Sequence, residues 1–445
     1  MAGEEWPKVA RIQLHLPSKK CIFLSPGYLL FFLMLFVPTT YKLLKLILLL
    51  IIFLSIIIIT LHRGRLPLHY NVLIWTLFVV SIGLIFIILG LFNGAPGALR
   101  VATVYVFWPM LFTLLASYAS NNRVIRDLIR ILIIAVFAIS LYNLSYILFA
   151  AGWLPEAFYI SIDQGQAIGF YEGYIEYNLY NISSLVFLIP FLIAALLIWP
   201  KDATPIPRPW IFAALIVGLV VSFLSARRAL ILIIFMSPII SLLFCSFLPQ
   251  SIRRTTRTQI MRAFIIVVIL LVVFIAWLQY IHNISLMLII ESIFSTEDIS
   301  NSIRKEQFFA LLDAWARSPL LGAGLGASVP GCIRSEEMPW AYELSYMALL
   351  FQTGLLGFFA YAMAVAWIFY MGLAIIRSGD TIGLWMLPTL VGMSCFLIAN
   401  ATNPYLAKFD YMWVIFLPIA FINFWLLNRN EWHKGQLSKR RREAQ

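Results

Sequence analysis

Charge is what this chain has least of. Only 12% of its 445 residues are Asp, Glu, Lys or Arg, while 62% are hydrophobic. Water-soluble domains carry roughly 25% charged residues, so a soluble fold is excluded for most of the length and an integral membrane protein is expected. Cysteine is scarce too. Cys21, Cys245, Cys332 and Cys395 are scattered without metal-ligand spacing, which speaks against a disulfide framework and a zinc site. His15, His62, His69, His282 and His433 lie far apart, none with a second histidine at ligand spacing, so neither a metal nor another cofactor is expected. No cleavable leader stands out either. The tail 1–21 holds Lys8, Arg11, Lys19 and Lys20, and no small-residue cleavage site follows the first apolar run, which reads as a retained span. There is no internal repeat of the kind that builds a transporter from two related halves.

What the chain does have is a series of apolar runs. A hydrocarbon core about 30 Å thick needs roughly 20 apolar residues per helix. Spans are predicted at 22–41, 43–61, 72–92, 98–118, 125–149, 181–199, 210–226, 229–248, 262–281, 341–376, 382–402 and 409–427. The expected fold is an all-α polytopic bundle over 22–427, with cytoplasmic tails at 1–21 and 428–445 and a large outer loop at 282–340, between spans nine and ten. The net charge of +12 fits this layout without nucleic acid as a partner. With both termini inside, about 22 of the 32 Lys and Arg residues fall on the cytoplasmic side, as the positive-inside rule requires.

The cations left outside are then the unusual ones: Lys42, Lys45, Arg100, Arg227, Arg228, Arg304, Lys305, Arg317, Arg334 and Lys408. A second outer segment, near 150–180, carries Glu156, Asp163, Glu172 and Glu176 among Tyr159, Tyr171, Tyr174, Tyr177 and Tyr180. Such a loop suits stacking on sugar rings, but it is read first as an interfacial tyrosine belt.

Three constellations could carry chemistry. In Ser225-Ala226-Arg227-Arg228-Ala229-Leu230, two arginines occupy a very short connection between apolar runs. They either snorkel to headgroups or offer guanidinium forks to phosphate oxygens. In the amphipathic stretch from Ser302 to Ser318, stopped by Pro319, helical spacing puts Arg304 on one face with Phe308, Leu311 or Leu312, and Trp315. There it could meet a lipid-linked diphosphate or ordinary headgroups. Lys305 lies on another face, and Asp313 with Arg317 reads as an i,i+4 surface pair. Glu343, at the mouth of span ten between Tyr342 and Tyr346, is either an interfacial cap or a base for a sugar hydroxyl. The run Gly322-Ala323-Gly324-Leu325-Gly326 follows no strand, so it is read as a flexible connection and not as a nucleotide loop.

Taken together, these stretches resemble the O-antigen ligase and O-antigen polymerase superfamily of bacterial envelope assembly. Ser225 to Leu230 is similar to the family's Ser-Arg-Gly-Ala-Leu turn, with Arg227 on the family arginine and Arg228 on its glycine. Arg304 through Pro319-Leu320-Leu321-Gly322-Ala323-Gly324 resembles an Arg-bearing helix followed by Pro-(Leu/Ile)-(Leu/Ile)-Gly-x-Gly. Glu343-Leu344-Ser345-Tyr346-Met347 and Gln352-Thr353-Gly354-Leu355-Leu356-Gly357 resemble His-Asn-x-Tyr-Leu and Glu-Thr-Gly-x-x-Gly. The ligase histidine is replaced by Glu343, which favours a polymerase over a ligase.

The resemblance implies a GT-C-like, inverting, metal-independent glycosyltransferase in the bacterial inner membrane, with its active site facing the periplasm. Its donor would be an undecaprenyl diphosphate-linked glycan, its surroundings membrane lipids, and its partner a polysaccharide chain-length regulator. Glu343, Arg304 and Arg227 are the candidate catalytic residues. Arg228, Lys305, Tyr342, Tyr346, Arg334, Glu172 and Glu176 are the candidates for holding substrate. A lipid-linked oligosaccharide flippase would also have about twelve spans, but should place charges along a cavity reaching the midplane.

Overall fold

The computed structural model describes residues 25–64, 66–119, 121–162, 167–171, 174–200, 203–225, 227–250, 252–254, 256–262, 265, 299–332 and 336–443. In chain order its main helices are α1 (Ser25–Phe36), α2 (Lys42–Arg63), α3 (Tyr70–Phe92), α4 (Ala98–Tyr118), α5 (Asn122–Ala150), α6 (Ile182–Ile198), α7 (Arg208–Leu224), α8 (Arg228–Cys245), α9 (Ile299–Ala316), α10 (Ser345–Arg377), α11 (Thr381–Asn400) and α12 (Trp413–Glu443). Eight stretches among the described residues are helical, long and apolar enough to cross a membrane: α2, α3, α4, α5, α8, α10, α11 and Phe409–Arg429, which includes the apolar part of α12. Helices α1, α6 and α7 are equally apolar but shorter. Every predicted span coincides with one of these except 262–281, nearly all of which lies outside the described residues.

Two details of the all-α expectation need correction. The outer segment near 150–180 contains an antiparallel hairpin, β1 (Ala167–Tyr171) with β2 (Tyr174–Asn178), in the register Ala167 to Asn178 and Tyr171 to Tyr174. Its β-branched and aromatic residues flank Glu172-Gly173, a two-residue spacing that suits a tight hairpin connection. The tenth span begins at Ser345, not 341, so Glu343 stands just outside the helix.

Loops gather at two ends of the bundle. At one end, Asn181 donates to the Phe36 carbonyl (3.1 Å), the Tyr411 hydroxyl donates to Asn181 (3.4 Å), and the Gly97 amide donates to Gly326 (3.0 Å). At the other, Asn423 bridges the His69 amide and the Pro67 carbonyl, and Trp385 donates to Ala203. Successive helices therefore run antiparallel, as the alternating loops of the sequence require. The centre is α6 with α11, where Phe187, Phe191, Leu387, Leu390 and Phe396 are fully buried. The rim is α2, which shows Leu43, Leu50, Leu54 and Ile58 outward, an apolar face suited to lipid.

The most informative packing feature is a break in α10. Gly354 sits at φ 59°, ψ −170°, a conformation essentially confined to glycine, and the ladder bonds across it are replaced by a passing loop. The amides of Ala323 and Gly324 donate to the carbonyls of Phe351 and Gln352 (3.0 and 2.8 Å), while those of Leu355 and Leu356 donate to Pro319 and Leu320 (2.9 and 3.1 Å). One step on, the Leu325 amide donates to Phe86 in α3 (2.9 Å). Irregular backbone at membrane depth is tolerated only where protein satisfies it, and here each side of the break satisfies the other. The glycine run is thus not the flexible connection expected from its composition. It lies buried against α3 and α10, and a Cβ on Gly324 would come 2.2 Å from the Gly90 Cα.

Candidate functional site

This joint fixes where α9 ends, and α9 carries the first functional arginine. Arg304, Gln307 and Leu311 follow one another at helical spacing, and Leu311 is fully buried in a cluster with Tyr342, Ala348 and Phe351. The inward face is therefore centred on Gln307, which is 3% exposed, while Phe308 is 39% exposed. That rotates the face read from the apolar pattern. The cause is polar: the Gln307 side-chain oxygen accepts the Glu343 amide at 3.1 Å, a partner that apolar periodicity does not reveal.

Beside it, Arg304 donates through Nε to Glu343 Oε2 at 2.7 Å. The carboxylate is 14% exposed and the guanidinium 31%, so the pair is partly buried and still reached by solvent. Glu343 is held at both its amide and its carboxylate by residues one helical turn apart on α9. Lys305 is exposed on the adjoining face, and Arg317 pairs with Asp313 at 2.7 Å on the surface.

The tyrosines either side of Glu343 face different surroundings. Tyr342 is 2% exposed, and its hydroxyl accepts the Val329 amide at 2.6 Å. Burial pushes its phenol up against the opposing effect of that bond, so it braces the loop as a neutral group. Tyr346, in the first turn of α10, donates to the Leu397 carbonyl at 2.6 Å.

Asn400 accepts the Leu406 amide at 3.0 Å, and the residue before Leu406 is Tyr405, whose phenol lies within electrostatic reach of Arg227. Burial raises the Tyr405 phenol while Arg227 and Ser183 pull it down. Arg227 is the N-cap of α8 and half-buried, whereas Arg228 is its first residue and exposed. The two adjacent arginines thus have separate fates. Arg304–Glu343 and Arg227–Tyr405 are thus two local assemblies, each joining residues that are far apart in sequence.

Of the remaining candidates, Glu176 lies on β2 opposite Gly169, while Glu172 and Arg334 lie outside the described residues. Residues that sequence reasoning passed over are Gln307, Gln352, Asn400 and Tyr405. Gln352 donates to the Ala327 and Trp340 carbonyls at 3.1 and 3.4 Å, pinning the loop that ends at Glu343. The signal for Gln352 and Asn400 was available: amides inside otherwise apolar spans need partners.

Chemically, the arrangement offers a positioned carboxylate beside one guanidinium, and a second guanidinium, Arg227, beside a buried phenol. A carboxylate can accept a proton from a nucleophile, and guanidinium groups stabilise charge developing on phosphate oxygens. Among the described residues, no group of three or more His, Cys, Asp or Glu side chains could hold a metal ion. Compared with known proteins, the chain matches no family model and no curated sequence.

Proposed function

We propose that this membrane-embedded protein is an O-antigen polymerase. It joins undecaprenyl diphosphate-linked oligosaccharide repeat units at the periplasmic face of the bacterial inner membrane. In this reading the bundle is GT-C-like with twelve spans, the ninth at 262–281, and both termini are cytoplasmic. A chain-length regulator is its protein partner.

The observation that carries the reading is the Arg304–Glu343 pair, held at 2.7 Å by the two segments whose motifs resemble the family and partly open to solvent. Glu343 accepts the proton of the acceptor hydroxyl as that oxygen attacks the anomeric carbon from the face opposite the diphosphate. The bond from the anomeric carbon to the diphosphate breaks, and the leaving group keeps the electron pair. Configuration inverts. Arg304 positions the carboxylate, and Arg304 and Arg227 supply positive charge for the departing diphosphate. Arg228 and Lys305, both exposed, draw the anionic donor toward them.

The test is sugar-ladder formation by the purified protein, with one lipid-linked repeat unit as both donor and acceptor. Loss of a general base costs about 10²–10⁴-fold, so Glu343→Gln should lose the ladder by that margin. A ladder that persists in this variant removes Glu343 from the chemistry. Transfer only to added lipid A–core makes the protein a ligase, and neither product favours a flippase.

A further inference from the structure

Of the cations predicted on the outer side, Arg100 has no part in the two assemblies described above. It lies in the first turn of α4 and is exposed, yet its guanidinium is engaged. Nη1 donates to the Glu337 carbonyl at 3.1 Å. Cζ stands 5.7 Å from the centre of the Trp340 ring, within the range of a cation–π contact. One turn earlier, at the N-cap of α4, Gly97 lies so close to the same indole that a Cβ there would run into the ring. The Gly97 amide donates to the Gly326 carbonyl at 3.0 Å, which ties this turn to the glycine loop. The start of α4 thus supplies both a floor and a clamp for Trp340.

Trp340 belongs to a strap, residues 336–344, that leads from the exposed Glu336 and Glu337 to the start of α10 at Ser345. Within it the Ala341 amide closes a turn on the Met338 carbonyl at 3.0 Å. From the α10 side, Gln352 donates to the Trp340 carbonyl at 3.4 Å. Only Ala341 and Tyr342 separate Trp340 from Glu343, too few residues to absorb a displacement of the indole. Glu343 itself is held by Gln307 and Arg304 of α9. Gln307, Gln352 and Tyr342 are buried, so their loss would disturb packing as well as the strap. Arg100 is the exposed anchor, and its removal should loosen the strap while leaving the core intact.

We infer that Arg100 is a positioning residue for Glu343: by clamping Glu337 and Trp340 against α4, it sets where the carboxylate stands. In the polymerase reading, on which this rests, Arg100 never meets the sugar and acts on the reaction through Glu343.

The test compares Arg100→Ala and Arg100→Lys in the purified full chain, by ladder kinetics and by hydrogen exchange. Misplacing a reacting group by about 1 Å can cost about 10²-fold, so Arg100→Ala should lower kcat by roughly tenfold to 10²-fold. KM should stay unchanged, as for a contact that matters only in the transition state. The bond to Glu337 is a single donor on a carbonyl, so Arg100→Lys should restore most of the rate. Added to Glu343→Gln, Arg100→Ala should cost little of the residual rate, because residues that act as a unit are not additive. Peptides over 337–344 should exchange faster in Arg100→Ala, while α6 and α11 keep wild-type protection. A wild-type kcat in Arg100→Ala, a rise in KM alone, a lysine variant as poor as alanine, or a full further loss in Glu343→Gln each overturns the inference. Lost protection in α6 and α11 also overturns it, since the role would then be general stability. Faster strap exchange in Arg100→Ala, when the wild type forms no ladder, would remove the polymerase reading and leave the clamp. A wild-type ladder with strap exchange unchanged in Arg100→Ala would do the reverse.

Discussion

Gly354→Ala should open the joint between α10 and the glycine loop without unfolding the bundle. A Cβ at this position would stand 2.3 Å from the Leu320 carbonyl oxygen, and the backbone there is in a region costing about 1–3 kcal/mol for a non-glycine residue. Because the clash is with backbone, no rotamer change relieves it, and the loop has to leave. That breaks the bonds from Ala323, Gly324, Leu355 and Leu356. At a net value of about 1 kcal/mol each, the joint loses about 4 kcal/mol, or roughly three decades in its opening equilibrium. Hydrogen exchange followed by mass spectrometry reads this directly. Peptides over 319–326 and 353–357 should exchange about a thousandfold faster in the variant, while α6 and α11 keep wild-type protection. Unchanged exchange at 319–326 would refute the interlock, and simultaneous loss in α6 would show that the joint is not a local unit.

Three further outcomes are expected. Arg304→Ala removes the guanidinium from a carboxylate that is 14% exposed. Fully buried pairs lose about 3–5 kcal/mol on such a change, and screening at the partly open guanidinium lowers this to about 2 kcal/mol. A double-mutant cycle with Glu343→Ala, read by thermal melting, should return a coupling of about 1–2 kcal/mol, and a value near zero would show contact without coupling. Gln307→Ala frees the Glu343 amide at a cost of about 1–3 kcal/mol; ladder formation should fall while exchange at that amide rises, and rescue by Gln307→Glu would indicate that an acceptor is all the site requires. Burial raises the Cys332 thiol, and the Glu306 carboxylate raises it further, so thiolate is depleted near neutral pH. Alkylation by a membrane-impermeant maleimide applied from the side that carries the α9 loop should be slow at pH 7 and climb with pH; Glu306→Gln should speed it modestly at fixed pH, and a rate independent of pH would contradict the assignment.

Much of the fold follows from hydrophobic run length alone, because a bilayer leaves the backbone few alternatives. That is why α3 and α5 start and stop close to their predicted limits. Where tertiary partners decide, composition misleads. The glycines of 322–326 resemble a hinge, yet their small size admits the backbones of α3 and α10. The α9 face was set by a single glutamine whose partner lies thirty-six residues away. The hairpin β1–β2 was legible from its aromatic alternation but was read as a belt. At the site, Arg304 and Glu343 could be singled out as charges in apolar surroundings. Their pairing at 2.7 Å could not, since no local pattern links α9 to the residue before Ser345. Arg227 was legible as an arginine in too short a turn, and its separation from Arg228 followed only once Tyr405 was in place.

The Tyr405 contact has a consequence for how the protein is made. Chains emerge from the N-terminus at about 5–20 residues per second, and Arg227 is synthesised long before the tyrosine that engages it. The α9 segment reaches its side of the membrane before α10 exists to receive the glycine loop, and Glu343 follows later still. Asn400 and Tyr405 come after both. A nascent chain ending before Tyr405 therefore has Arg227 but lacks the tyrosine that engages it. That contact is completed late in biogenesis, so truncated products sharing the same bilayer hold Arg227 without its partner on the loop after α11.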